Sequence, residues 1–169
     1  YFILHHFGGV YVDFDFECVK NIEEIFGSGK EFYAANEPLG NHARPTPDTL
    51  FINNGWMAAQ KGSKFLKHVC EQLVPTYHNT QKDLVLQMAG PGFLTQAYLS
   101  YPERKEVEIL PSWTLFPITY GAARNIRYKD PNERLRAAHQ ARGVLNGRDG
   151  VPVDVQGSYA VHLWNGSWH

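Results

Sequence analysis

Asp13 and Asp15 stand at alternate positions at the end of the run Phe7-Gly-Gly-Val-Tyr-Val-Asp13-Phe-Asp15-Phe16-Glu17. Asp is depleted in strands, so two of them among Val, Tyr and Phe call for a reason. A hard divalent cation supplies one, because it prefers carboxylate oxygens and leaves coordination places for phosphate. Alternate strand residues share a face, so the two carboxylates are expected to converge on one ion unless the strand end bends. A plain strand-end cap is the competing reading of the pair.

A second group is His162-Leu-Trp164-Asn165-Gly166-Ser167-Trp168. A neutral imidazole near the end of the chain can complete a metal site, although it equally suits a satisfied core histidine. Gly166 allows close backbone approach, while the Ser167 hydroxyl and the Trp168 indole N–H can donate to phosphate oxygens. A third group is Ile52-Asn53-Asn54-Gly55-Trp56-Met57. Paired amides both donate and accept, which suits sugar hydroxyls as well as it suits an Asx turn. Gly90-Pro91-Gly92 reads as a tight turn opening a helix, a place that can also line a donor pocket.

The elements that hold these groups read as follows. Residues 1–7 form the end of a helix stopped by Gly8-Gly9, and residues 10–16 a strand. Asn21 and Glu24 are spaced as a capping box opening a short helix that ends at Gly27. Strands are expected over 32–36 and 107–110, and a strand turning into a turn or helix over 50–59. Residues 40–48 are a loop. Phe65, Leu66, Val69, Cys70 and Leu73 follow helical spacing, with Pro75 ending that helix. Further helices are expected over 93–99 and 133–141, a turn over 146–150, and a last strand over 158–164 closed by Asn165-Gly166. Alternating strands and helices define an α/β class.

The chain has 169 residues, 43% hydrophobic and 20% charged, with a net charge of −1. That suits one domain of ordinary composition and offers no electrostatic footprint for nucleic acid or an anionic membrane. No apolar run approaches the roughly 20 residues that span a bilayer. Cys18 and Cys70 lack the spacing of a zinc site or a disulfide framework, and two free, buried thiols are expected. The chain opens at Tyr1, inside a helix, and is expected to be part of a longer protein whose targeting segments lie upstream.

The run YFILHHFGGVYVDFDFECVKNI, followed in order by INNGWMAAQKGSKFLKHV, AGPGFLTQAY and SYAVHLWNGSW, resembles the DXD-containing sugar-binding region of glycosyltransferase family 32. That family includes α-1,6-mannosyltransferases and inositol-phosphorylceramide mannosyltransferases, and α-1,4-galactosyl- and N-acetylglucosaminyltransferases share the pattern. The resemblance covers residues 1–117 and returns over 158–168. It implies a GT-A-like fold lacking its N-terminal part, because relatives carry an acidic residue and an Arg ahead of Tyr1 and the first part of the nucleotide-binding fold further upstream. The whole of 1–169 would then be a catalytic-domain fragment, with 120–155 an acceptor-side insertion.

The resemblance further implies retaining, metal-dependent transfer of a hexose from a GDP- or UDP-sugar to a glycan, glycolipid or sphingolipid acceptor. Asp13 and Asp15 take the catalytic and metal-binding roles, with His162 as a further ligand of Mn²⁺ or Mg²⁺. Gly9, Asn53, Asn54, Gly90, Ser167 and Trp168 fall on the donor side. Membrane association through segments outside this chain would place the protein in a Golgi-type lumen, and the other setting is the bacterial cytoplasm. A His162→Ala change is expected to weaken ligand binding more than stability. Two rivals differ in class: a non-catalytic nucleotide-sugar or glycan binder, and a HAD-like phosphotransferase, in which Thr or Val would normally follow the second Asp where Phe16 stands here.

Overall fold

A computed structural model describes residues 1–18, 20–38, 49–79, 85–120, 145–146, 152–153, 157–162 and 164. The expected loop over 40–48, the helix over 133–141 and residues 147–150 and 165–169 lie outside the described residues. The chain divides into two compact units.

The first unit comprises Tyr1–Asp13, Glu23–Asn36 and Leu50–Leu110. It begins with α1 (Phe2–Phe7) and β1 (Gly9–Val12), then β3 (Phe32–Asn36) and β4 (Ile52–Ala59), with β2 falling in the other unit. Helices α2 (Lys64–Asn79), α3 (Val85–Met88) and α4 (Pro91–Ser100) follow, and β5 (Val107–Leu110) closes it. The sheet runs β1-β4-β3-β5, antiparallel except for the parallel β3–β5 pair. This is the mixed α/β arrangement expected from the alternation of strand and helix patterns. Strands β3 and β4 lie in the middle and are buried along most of their length, β3 as an apolar run FYAA and β4 through Ile52 and Trp56–Ala58, with Asn53 buried among them.

Phe32, Ile52, Met57, Phe65, Leu66, Val69, Phe93 and Leu94 make the centre of the core. Burying each large side chain contributes about 1.5–3 kcal/mol. Helix α2 enters this core because Phe65, Leu66 and Val69 fall on one face. Its first turn is capped twice: Ser63 Oγ accepts the Leu66 N–H at 3.2 Å, and the Glu31 carboxylate accepts those of Lys64 and Phe65 at 3.1 and 2.8 Å. These bonds satisfy amides that a helix start leaves without intrahelical partners. Pro75 does not end the helix as expected but sits inside it. Both Pro75 and Glu71 are exposed, so the carbonyl that loses its N–H donor can turn to water.

Two other expectations change. The segment opened by Asn21 is a 3₁₀ helix, Glu23–Ser28, held to the Tyr33 hydroxyl, which donates to the Phe26 carbonyl at 3.2 Å and accepts the Lys30 N–H at 2.7 Å. The thiols of Cys18 and Cys70 are free but not buried, Cys18 being exposed and Cys70 half-buried.

The second unit comprises Phe14–Ile22, Glu37–Thr49 and Pro111–His169. Here β2 (Phe16–Cys18) pairs antiparallel with β8 (Ala160–His162), and β6 (Leu145–Asn146) with β7 (Pro152–Val153). Leu115, Phe116, Ile118, Ala160 and Val161 are buried. The approach to β8 is tied down by Ser158 Oγ, which donates to the Trp113 carbonyl at 2.6 Å, and by the Tyr159 N–H, which donates to that of Thr114 at 2.8 Å.

The expected single strand over 10–16 is therefore two strands. β1 stops at Val12, β2 starts at Phe16, and the second belongs to another sheet. Asp13 and Asp15 lie in the link, so the shared-face argument for a continuous strand does not apply to them.

The turn into β1 is set by glycine. Gly8 has φ 71° and ψ −171°, a region essentially restricted to glycine, and a Cβ there would meet the Lys61 amide nitrogen at 2.6 Å. Gly9 has φ 103° but open space around its Cα. Gly8→Ala should therefore lower the unfolding free energy by roughly 3 kcal/mol or more, through strain and backbone clash together. Gly9→Ala, which meets only the strain, should lower it by about 1–2 kcal/mol. Urea unfolding of the two variants checks this, and equal losses would contradict it.

Candidate functional site

Asp13 is built into the first unit by its backbone. Strand β1 pairs with β4 as far as Val12 opposite Trp56, and the Asp13 N–H then donates to the Gly55 carbonyl at 2.7 Å. On its other side β4 does not keep step with β3. Ala34 pairs with Met57 but Ala35 pairs with Asn53, so Asn54, Gly55 and Trp56 bulge against a single step of β3. Bulges re-aim side chains, and this one brings Asn53 and Asp13 together over Gly55. Asn53 is buried, and its Oδ1 accepts the Gly55 N–H at 2.6 Å. The Tyr11 hydroxyl donates to Asp13 Oδ1 at 2.6 Å.

Asn54 points elsewhere. Its amide reaches toward the Ala89 carbonyl at 3.5 Å, the same oxygen to which Tyr1 donates at 2.9 Å. Burial raises the Tyr1 phenol pKa, which keeps it a hydrogen-bond donor; a bond from Asn54 opposes that shift. The two asparagines, which alternate readings of the sequence leave level, thus occupy different surroundings, and only Asn53 lies beside Asp13. Gly9 opens β1 and lines a largely apolar hollow of about 280 Å³ with Val10, Phe26 and Tyr33. Gly90 caps α4 with ordinary extended backbone, and a Cβ there would meet the Leu86 backbone at 2.8 Å. Its lack of a side chain serves the packing of α3 against α4. Ser167 and Trp168 lie outside the described residues.

Asp15 and His162 meet in the second unit. Phe16 pairs with His162 across β2 and β8, which brings the residue before Phe16 to the imidazole. Asp15 Oδ1 lies 3.0 Å from His162 Nε2, between side chains that are 18% and 9% exposed. The ring is held by aromatic neighbours: Phe16 stacks on it at 4.5 Å, and Trp164 and Phe116 meet it edge-on at 4.4 and 5.6 Å. Trp164 has φ 53°, a strained conformation for a bulky residue, and is anchored by its indole N–H on the Ile118 carbonyl at 2.7 Å.

Asp15 and His162 set a carboxylate oxygen and an imidazole nitrogen side by side in the second unit, and Asp13 presents a carboxylate in the first. Tyr11, Gly55, Phe16, Phe116 and Trp164 are absent from the residues that the sequence singles out. For Tyr11 a signal exists, since it sits two residues before Asp13 and carries a hydroxyl that can reach it. For the others the signal is tertiary.

Residues 1–33 match the family described as glycosyltransferase sugar-binding region containing DXD motif. Asp13 and Asp15 both lie inside the matched stretch. Over 116 residues the chain is 30% identical to Inositol phosphoceramide mannosyltransferase 1 of Schizosaccharomyces pombe, a match covering 66% of this chain and 33% of that protein. Among solved structures it is similar to PaToxG Glycosyltransferase, with 20% identity and a TM-score of 0.45 over 94% of this chain and 52% of that one. The chain thus spans about a third of the curated relative and about half of the solved chain.

The burial of His162 alters the expectation for its removal. His162→Ala empties an aromatic-lined space, and should cost about 2–4 kcal/mol of stability besides any effect on a ligand. Urea denaturation of that variant checks the packing, and an unchanged midpoint would show that the ring is not enclosed.

Proposed function

We propose that this chain supplies the cation- and diphosphate-binding part of a glycosyltransferase that moves a hexose from a GDP- or UDP-linked donor to a glycan or lipid acceptor. The observation that carries the reading is the Asp15–His162 contact at 3.0 Å, formed by the second carboxylate of a segment that matches the DXD family. Asp13 is two residues away along the chain, so its Cα is at most ~7 Å from that of Asp15 whatever the link does. Asp13, Asp15 and His162 together are the proposed holders of Mn²⁺ or Mg²⁺. The name of the relative favours a mannose-type hexose and an inositol-phosphoceramide-like acceptor.

A divalent ion at that place supplies charge neutralisation to the diphosphate as it leaves. The chain's own residues do the rest of the work. Asp13 and Asp15 hold fixed negative charge, and Asp13 with the Asn53 amide beside it is placed to accept hydroxyl hydrogens from ribose or sugar. The aromatic ring set keeps the His162 imidazole in one orientation and excludes water from its faces. Ser167 and Trp168 are assigned as donors to the diphosphate oxygens, where preorganised hydrogen bonds stabilise the leaving charge. With retention, the acceptor hydroxyl attacks the anomeric carbon on the face from which the diphosphate departs. The carbon–phosphate-oxygen bond breaks, a new carbon–oxygen bond forms, and the hydroxyl proton passes to the diphosphate. No side chain is assigned as a nucleophile.

Among the described residues no helix is long and apolar enough to cross a membrane.

Calorimetric titration with UDP and with GDP, each with and without Mn²⁺, tests the reading. One nucleotide should bind in a Mn²⁺-dependent manner. Asp15→Asn should abolish both that dependence and hexose transfer by the full-length protein, while its urea unfolding shows the domain still folded. Metal-independent binding, or full transfer by Asp15→Asn, would overturn the cation role.

A further inference from the structure

We propose that Gly55 and Tyr11 are positioning residues for the Asp13 carboxylate, Gly55 by leaving the space that Oδ2 occupies and Tyr11 by holding Oδ1. The proposal rests on the cation reading of Asp13 given above and deepens it. A Cβ built on Gly55 would lie 2.8 Å from Asp13 Oδ2 and 2.9 Å from Asn53 Oδ1, closer than real Cβ atoms come to other atoms. Backbone conformation does not require glycine there. The glycines with positive φ among the described residues are Gly8, Gly9, Gly29 and Gly62, and Gly55 is not among them. An alanine could adopt its backbone angles, so the glycine is needed for room and not for conformation.

The carboxylate is confined from three directions. Its own amide is held on the Gly55 carbonyl at 2.7 Å, which leans the side chain over the Gly55 Cα. The Tyr11 hydroxyl holds Oδ1 at 2.6 Å and fixes the rotation of the group. The Asn53 amide oxygen is pinned by the Gly55 N–H at 2.6 Å and so cannot withdraw to make room. A methyl at residue 55 would have to push Asp13 Oδ2 or Asn53 Oδ1 by several tenths of an ångström, and Asp13 Oδ2 is the nearer of the two, at 2.8 against 2.9 Å. Tyr11 and Gly55 act on the bound ion only through Asp13, which distinguishes them from ligands.

Mn²⁺ titration of residues 1–169, read by the electron paramagnetic resonance of the free ion, tests this with Asp13→Asn, Gly55→Ala, Tyr11→Phe and the double variant Gly55→Ala/Asp13→Asn. Gly55→Ala and Tyr11→Phe should each weaken Mn²⁺ binding by about 10–100-fold, the usual effect of removing support from behind a ligand. In the Asp13→Asn background Gly55→Ala should add nothing, because the two changes act on one group. Wild-type affinity in Gly55→Ala and Tyr11→Phe, alongside weakened binding in Asp13→Asn, would overturn the positioning role and leave the cation reading intact. A full further loss in the double variant would likewise place the effect of Gly55 elsewhere. Unchanged affinity in Asp13→Asn, or no Mn²⁺ uptake by the unsubstituted chain, would overturn the cation reading and this proposal with it. Should Gly55→Ala fail to fold, Tyr11→Phe, which removes one oxygen and adds no volume, decides alone.

Discussion

The hydrogen bond from the Asp13 amide to the Gly55 carbonyl is the last rung of the β1–β4 ladder, and the placement of the first carboxylate follows from it. Without the bulge in β4, Gly55 would continue in register against β3 and its surroundings would be an ordinary sheet face. With three residues of β4 set against one step of β3, the carbonyl of Gly55 turns to Asp13 while its N–H turns to Asn53. One peptide neighbourhood thereby holds an acid and an amide side by side. Both are oxygen-bearing groups that water would otherwise solvate, and each is compensated by a hydrogen bond instead.

The second carboxylate is supported by different means. Asp15 is held against an imidazole whose ring is packed by Phe16, Phe116 and Trp164. Such packing fixes orientation without using the ring nitrogens, and so leaves Nε2 to the carboxylate or to a ligand shared with it. The strained φ of Trp164 fits this picture. A bulky residue in the left-handed region costs about 1–3 kcal/mol, and the indole bond to Ile118 and the ring contacts keep it there.

Local chemistry was readable where it decides structure locally. The strands Phe32–Asn36 and Val107–Leu110 and the Pro91-led helix follow from β-rich runs and turn residues, and the stop after Phe7 follows from two glycines. The break between β1 and β2 was not readable, because β2 is drawn off by β8, whose His162 lies 147 positions from Asp15. Nor was the bulge, since Asn-Asn-Gly suits a turn as well as a bulged central strand. Pro75 misleads for a related reason: its effect on a helix depends on whether the freed carbonyl is exposed, which is a tertiary fact. Asp13, Asp15, His162 and the pair Asn53 and Asn54 could be singled out by type and spacing, without a choice between the two asparagines. Gly55 and Tyr11 could not be given a task, since the task exists only where the carboxylate leans over the glycine.

The two carboxylates are therefore unlike, although the sequence presents them as a pair. Asp13 has a hydroxyl donor on one oxygen and a tight backbone on the side of the other, so its freedom is removed by hydrogen bonds and by space. Asp15 faces the His162 ring inside an aromatic wall, at 3.0 Å from its Nε2. Between them stands Phe14, whose fully exposed side chain contributes no packing to the link. The stiffness of the Asp-Phe-Asp segment has to come from its two ends: the Asp13 amide on Gly55 at one, and the Phe16–His162 pairing at the other. Disturbing either anchor would loosen the carboxylate it holds while leaving that residue in place, which makes each anchor as consequential for the role proposed for its carboxylate as the carboxylate itself.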